Sequence, residues 1–237
     1  MAYDWQNRTA MQPATWAQVD AGLRQYMLRV YNYMGAALVL TGLVAYGAAA
    51  SGLYLSIART PLIWLVVFAP LGLVFLLSFG IQRMSLGAAQ LTFWSYAGLV
   101  GLSLGFIFLA YTGASIVSTF MVTAAMFLGM SLYGYTTGRD LTGMGSFLMM
   151  GLIGIIVAAI VNLFVMSSAL SFAISVLGVL IFTGLTAYDT QRIKESYFAG
   201  DDGTVAGKKA IMGALQLYLD FLNLFLMLLR LLGQTRN

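Results

Sequence analysis

The sequence predicts an all-α, polytopic membrane protein with seven transmembrane helices, the seventh at the centre. Three observations carry this expectation. Of 237 residues, 12 are Lys or Arg and 8 are Asp or Glu, 8% charged in all, while 60% are apolar. Soluble domains carry roughly 25% charged residues, so too little polar material is present here to coat a globule. The apolar residues also fall into seven stretches, each near the ~20 residues a helix needs to cross the hydrocarbon. Finally, the last stretch carries a polar stripe on an otherwise apolar helix, the pattern of a helix with protein neighbours all round.

Taken in order, residues 1–29 hold three Arg, two Asp and no long apolar run. They read as a cytoplasmic tail and not as a cleavable signal peptide. Within and beyond that tail, residues 19–33 read as a surface amphipathic helix leading into the first span. The spans are expected at 30–50, 61–80, 86–111, 115–135, 144–166, 169–188 and 211–232. Very short connections join spans three to six, which makes those neighbours antiparallel hairpins. Residues 30–233 thus form one seven-helix domain, and 234–237 a short C-terminal tail. The Gly101-x-x-x-Gly105 pair in span three lets another backbone come close. In a seven-helix chain that points to internal packing first. The 14 Met and 15 Phe read as core and lipid-facing filler.

Orientation follows from where Lys and Arg fall. Arg8, Arg24, Arg29, Arg83, Arg139, Arg192, Lys194, Lys208 and Lys209 lie on the side of the N-terminus. Arg59, Arg230 and Arg236 lie on the other. The N-terminus is therefore expected in the cytoplasm and the C-terminus outside.

The same composition excludes several function classes. The absence of Cys removes disulfides, thiol nucleophiles and iron–sulfur ligation. The absence of His removes the usual zinc and haem ligand and the commonest general base. The net charge of +4 is spread through a membrane chain and reads as a topology signal, not as a nucleic-acid footprint. Neither cofactor nor catalytic activity is expected.

An ionisable residue inside a span costs roughly 2.5–3.5 kcal/mol at a helix centre and points to function. Two candidates stand out. Asp220 lies well inside span seven, and Asp189 ends span six. The connection between these spans has turn chemistry from Gly200 through Gly207. Asp189 lies 200 − 189 = 11 residues before it and Asp220 lies 220 − 207 = 13 after it. The difference amounts to ~3 Å of helix rise, so the two carboxylates sit at similar depth on adjacent helices. This requires helix six to run on through Arg192-Ile193-Lys194-Glu195. Gln216, Asp220 and Asn223 share one face of span seven, and Thr183, Thr186 and Asp189/Thr190 one face of span six. Such stripes face the bundle interior or a water-filled cavity.

Two carboxylates in contact in a low-dielectric site cannot both ionise cheaply; they share a proton and titrate as a unit. That makes a pH-sensitive latch, which when deprotonated offers hard oxygen ligands suited to calcium. The other reading pairs each Asp with Arg83, Arg139 or Arg192 and gives it a packing role. From spacing alone both stay open.

Tyr188-Asp189-Thr190-Gln191, together with Leu217-Tyr218-Leu219-Asp220-Phe221-Leu222-Asn223-Leu224-Phe225, resembles the Bax inhibitor (transmembrane Bax inhibitor motif) family, in its bacterial YccA-like branch. Ser131-Leu132-Tyr133-Gly134-Tyr135-Thr136-Thr137, Met144-Gly145-Ser146-Phe147 and Val30-Tyr31-Asn32-Tyr33-Met34 match as well, and the likeness covers about residues 20–233. It implies seven helices with the last one surrounded by the other six. It also implies that Asp189 and Asp220 form a pH-sensing pair controlling a calcium leak, with calcium as bound or transported ion. Arg83 takes the place of a latch partner. The bacterial branch further resembles modulators of a membrane-anchored AAA protease of the FtsH type, for which the N-terminal tail is long enough to be gripped. The implied location is the bacterial inner membrane.

Intramembrane aspartyl proteases also use two Asp on spans six and seven, but their second motif is Gly-x-Gly-Asp. Here bulky Leu217-Tyr218-Leu219 precedes Asp220 and blocks the close backbone approach those glycines allow. A retinal receptor needs a Lys within the membrane, and the three Lys lie outside the spans. A proton-coupled carrier remains compatible with a shared-proton pair. The expectation is therefore a pH-sensitive cation (calcium) leak channel gated by Asp189 and Asp220, with Thr186, Gln216 and Asn223 as supporting polar groups. The alternative is a non-transporting protease modulator.

Overall fold

The computed structural model describes residues 16–236, and the first fifteen residues of the expected tail, Arg8 among them, lie outside that range. Helix α1 (Trp16–Ala50) is followed by the short α2 (Leu53–Ala58) and by α3 (Leu62–Gly80), which ends in a 3-10 turn at Ile81–Arg83. Then come α4 (Leu86–Ser103), α5 (Gly105–Ala110), α6 (Gly113–Thr136), α7 (Thr142–Val165), α8 (Ser168–Glu195) and α9 (Gly203–Leu232). Seven of these units are long and apolar enough to cross a membrane, with α4 and α5 counting as one. The protein is an all-α polytopic membrane protein.

Sequence chemistry accounts for the tight hairpins. Ser85, Thr112 and Ser167 each accept a hydrogen bond from a backbone N–H of the first turn they precede, satisfying donors that a helix start otherwise leaves unpaired. Between α7 and α8, Met166 takes a left-handed conformation (φ 52°) that ends α7. Asn162 secures that corner. Its Oδ1 accepts from Ser167 N at 3.0 Å and its Nδ2 donates to Ser171 Oγ at 2.7 Å. Residues 19–33 continue without a break into the first span, as part of α1.

The third span is interrupted at Leu104. Its two glycines are internal packing points, as expected. A Cβ on Gly101 would lie 2.6 Å from the Thr41 carbonyl oxygen, and one on Gly105 would meet the Tyr54 ring. Small residues there let α4 and α5 press against α1 and α2.

Helix α9 occupies the centre. Of its most apolar stretch 67% is buried within the protein, against 6% for α7. Its main neighbours are α8, α1, α6 and α4, whereas α3 packs mainly on α4 and α7 on α8. Four spans make the immediate ring, two fewer than the resemblance implies. The explanation lies in the side chains. With α1, α4, α6 and α8 in place, α9 already buries Leu217, Tyr218, Leu224 and Leu229 almost completely. The strongly apolar α3 and α7 then find their partners on the ring and in lipid.

The basic residues gather at one end. Tyr26 of α1 bonds Ser196 after α8 at 3.0 Å, and Lys208 of α9 donates to the Gln82 carbonyl at 3.3 Å. Lys194 of α8 donates to the Tyr135 carbonyl at 2.8 Å and lies over the Tyr135 ring. At the far end the C-terminal segment is tied down. Thr112 N donates to the Gln234 carbonyl, Gln234 N to Ser115 Oγ, and Arg236 N to the Ala110 carbonyl.

Candidate proton and cation site

Helix α8 runs through Arg192-Ile193-Lys194-Glu195, as the matched-depth expectation requires, and carries Asp189 one and a half turns before its end. Small residues bring α9 close on either side of that point. A Cβ on Gly213 would lie 3.0 Å from Ile193, and one on Gly178 would lie 2.9 Å from Met227. Between these two contacts the carboxyl groups of Asp189 and Asp220 come within hydrogen-bonding reach of each other. Only 6% of Asp189 and 5% of Asp220 is exposed. A hydrogen bond between two carboxyl groups needs a proton on one of them, so the arrangement fits a pair sharing one proton.

Of the supporting polar residues, Gln216 joins the pair: its side-chain amide lies close to Asp189. The second oxygen of Asp220, Oδ2, is buried and has no hydrogen-bond partner among the described residues. Among these residues no Lys or Arg lies within salt-bridge distance of either carboxylate, and the ion pair that does form is Lys209–Asp201 in the α8–α9 connection. Arg192, three residues along α8, acts on Asp189 through space. No third acid joins the two among the described residues.

The surroundings differ on the two sides. Toward the basic end a cavity of about 350 Å³ reaches Gln216, with Arg192, Lys208 and Lys209 on its wall. Toward the far end, Phe120 and Phe127 of α6 close on Phe221 of α9, with ring centroids 5.3 and 5.5 Å apart. A cavity of about 90 Å³ lies beyond, between α1, α5, α6 and α9.

Residues 23–237 match the family described as inhibitor of apoptosis-promoting Bax1. The chain belongs to the Bax inhibitor family. It is 49% identical to the inner membrane protein YbhL of Escherichia coli, over 92% of this chain and 95% of that one. A protein of Rickettsia prowazekii is 51% identical over 92% and 93% of the two chains. An uncharacterized membrane protein of Streptococcus pyogenes is 39% identical over 93% and 97%.

In this Bax inhibitor family member the remaining expected residues sit elsewhere. Thr186 is fully buried but gives its hydroxyl proton to the Phe182 carbonyl of its own helix at 2.8 Å. Asn223 likewise donates to the Leu219 carbonyl at 2.9 Å. Both side chains serve backbone carbonyls, as short polar groups in apolar helices do. Arg83 is exposed at the end of the 3-10 turn, and no acid among the described residues lies within salt-bridge distance of it.

Beyond Thr190, which shares the polar stripe of span six, four contributors, Gln191, Tyr31, Ser131 and Tyr218, were given no role from sequence. Gln191 is buried; its Oε1 accepts from Leu141 N at 2.9 Å and its Nε2 donates to the Arg139 carbonyl at 2.8 Å, fixing the α6–α7 loop to α8. Tyr31, Ser131 and Thr190 form a hydroxyl chain across α1, α6 and α8, with links of 2.6 and 2.9 Å. Tyr218 bonds Thr41 at 2.6 Å on the side of α9 away from Asp220. Each lies within a motif quoted above, but a lone Gln or Tyr in an apolar run carries no periodicity that separates a partnered group from filler.

Proposed function

We propose that this protein is a cation leak channel of the bacterial inner membrane, with calcium as its foremost cargo, governed by the proton held between Asp189 and Asp220. The observation that carries the reading is the contact of two buried carboxyl groups with no neutralising cation in salt-bridge range among the described residues. Two such groups can stay together only while they hold a proton or a cation between them. Their oxygens and the Gln216 amide are hard ligands suited to calcium, which takes six to eight. So thin a set leaves the ion mostly hydrated, as passage requires and storage does not. The aromatic filling around Phe221 corresponds to the closed form.

The inner-membrane location rests on the likeness to YbhL, named as an inner membrane protein. With the excess of Lys and Arg on the cytoplasmic side, the basic end faces the cytoplasm, the N-terminus lies inside and the C-terminus in the periplasm. No enzymatic step is part of the reading.

The test is calcium flux into vesicles containing the purified chain. The native protein is expected to leak calcium in a pH-dependent way, and the Asp189→Asn/Asp220→Asn variant to lose that dependence. A variant with undiminished pH dependence overturns the mechanism. A native chain that moves no calcium, yet co-purifies with a membrane-anchored AAA protease of the FtsH type, replaces it with a protease-modulator role.

A further inference from the structure

The cavity at the basic end has a chemistry that the leak mechanism does not use. Its wall carries three cations, Arg192, Lys208 and Lys209, on two different helices. Among the described residues only one has an acid within salt-bridge distance. Lys209 pairs with Asp201, while Asp202 is occupied in capping α9 through the N–H groups of Thr204 and Val205. Lys208 donates only to the Gln82 carbonyl, and Arg192 meets no acid within salt-bridge distance among the described residues. Tyr26 and Ser196 stand on the same wall with their hydroxyl protons already given, Tyr26 to Ser196 and Ser196 to the Ile193 carbonyl, and Gln216 lines the cavity as well. Around this space of about 350 Å³ two of the three cations, Arg192 and Lys208, have no acid within salt-bridge distance among the described residues, so an anion entering it is attracted by both. A guanidinium beside an ammonium is the combination that recognises phosphate, the first through paired N–H donors and the second as a point charge.

We propose that this cavity is a binding site for a phosphate group, the chemistry shared by an anionic lipid headgroup and by free phosphate. Arg192 and Lys208 supply both the charge and the hydrogen bonds. Arg192 stands on α8 three residues from Asp189, and Gln216 touches both the cavity and that carboxylate. A bound phosphate cancels positive charge that otherwise opposes a cation approaching the pair. That consequence rests on the proposed leak; the binding itself does not.

The experiment measures thermal unfolding of the full chain in a neutral detergent. Inorganic phosphate, a short-chain phosphatidylglycerol and a short-chain phosphatidylcholine are titrated separately, with sodium chloride at matched ionic strength. A saturable rise of roughly 3–6 °C at tenfold the dissociation constant is expected for the phosphate-bearing anions over chloride. Phosphatidylcholine should give none. A response to phosphatidylglycerol alone assigns the site to a lipid headgroup, and a response to inorganic phosphate to a soluble anion. The Arg192→Gln/Lys208→Gln variant should lose the rise, and Arg192→Lys/Lys208→Arg should keep it, which separates lost charge from a misfolded chain. No rise above chloride, or a full rise in the Gln variant, overturns the proposal. The Asp189→Asn/Asp220→Asn variant should respond like the native chain, so failure of the leak mechanism and failure of the phosphate site remain distinguishable.

Discussion

The carboxyl groups of Asp189 and Asp220 meet across the α8–α9 interface, each buried to within a few per cent, with the Gln216 side chain close to Asp189. Where the pair holds one proton, the link is an O–H···O⁻ bond, about twice as strong as the neutral bond between two protonated acids. Removal of that proton replaces the bond with repulsion between two buried charges. Loosening therefore follows from either change, and most from deprotonation. Calcium flux into vesicles measured across pH is expected to pass through a minimum where one proton is held. It should rise gently on the acid side and steeply on the alkaline side. In Asp189→Asn/Asp220→Asn the profile should be flat.

A second relationship holds α6 against α8. Gly134 lies so close to Ala187 that a Cβ on it would run into the Ala187 carbonyl group. Backbone atoms on α8 cannot swing aside as a side-chain tip can. Gly134→Ala is expected to destabilise by about 1–3 kcal/mol. Gly129→Ala, on the same helix with nothing near its new Cβ, should be neutral or gain up to about 1 kcal/mol from reduced backbone freedom. Unfolding midpoints of the two variants in one detergent check the contrast.

The sequence made the seven spans and the meeting of the two carboxylates legible, the latter by an argument whose anchors were displaced. Counting from Gly200 and Gly207 set both Asp residues at equal depth. In fact α8 stops at Glu195 and α9 starts at Gly203. Asp189 is then 195 − 189 = 6 residues from its helix end and Asp220 is 220 − 203 = 17 from its helix start. The connection 196–202 makes up the difference, running back along the early turns of α9, where Lys209 holds Asp201 and the Ser196 carbonyl. Depth was readable because the lipid thickness and the cost of burying charge constrain it. Azimuth was not, beyond one stripe. Gln216 turned toward Asp189, whereas Thr186 and Asn223, on the same predicted faces, found nearer partners in their own backbones. Short side chains one turn from a free carbonyl satisfy themselves locally, and hydrophobic periodicity does not register that choice.

The rotation of α9 that turns Asp220 toward α8 is fixed on its other side by Tyr218. Thr41 gives its single hydroxyl proton to the Ala97 carbonyl at 2.9 Å, so in the 2.6 Å contact with Tyr218 it is the tyrosine that donates. Tyr218→Phe removes a donor and leaves Thr41 satisfied; the expected cost is about 0.6 kcal/mol, typical of a side-chain bond between membrane helices. Thr41→Val strands the buried Tyr218 hydroxyl and frees the Ala97 carbonyl as well, at about 1–3 kcal/mol. Unfolding of both single variants and the double variant should give a coupling term, with Thr41→Val the more damaging single change.

Gln191 makes the remaining prediction. Its two bonds clamp the Arg139 carbonyl and Leu141 N, the latter inside a buried residue, while Arg139 itself is exposed. A protease that cuts after Arg needs several residues in extended form, so cleavage at Arg139 requires the loop to lift off α8. Gln191→Leu removes both bonds and leaves a buried N–H and a carbonyl to find water, which favours the lifted state. At a net value of about 1 kcal/mol per bond, and with cleavage slow relative to closing, the cut rate follows the open population. The rate of trypsin cleavage at Arg139 in inside-out vesicles, which expose the cytoplasmic face, is expected to rise by roughly tenfold or more in Gln191→Leu. Gln191→Glu keeps the acceptor for Leu141 N but sets a carboxylate oxygen against the Arg139 carbonyl, so its rate should lie at least as high. Native-like cleavage in both variants would show that the clamp does not hold the loop.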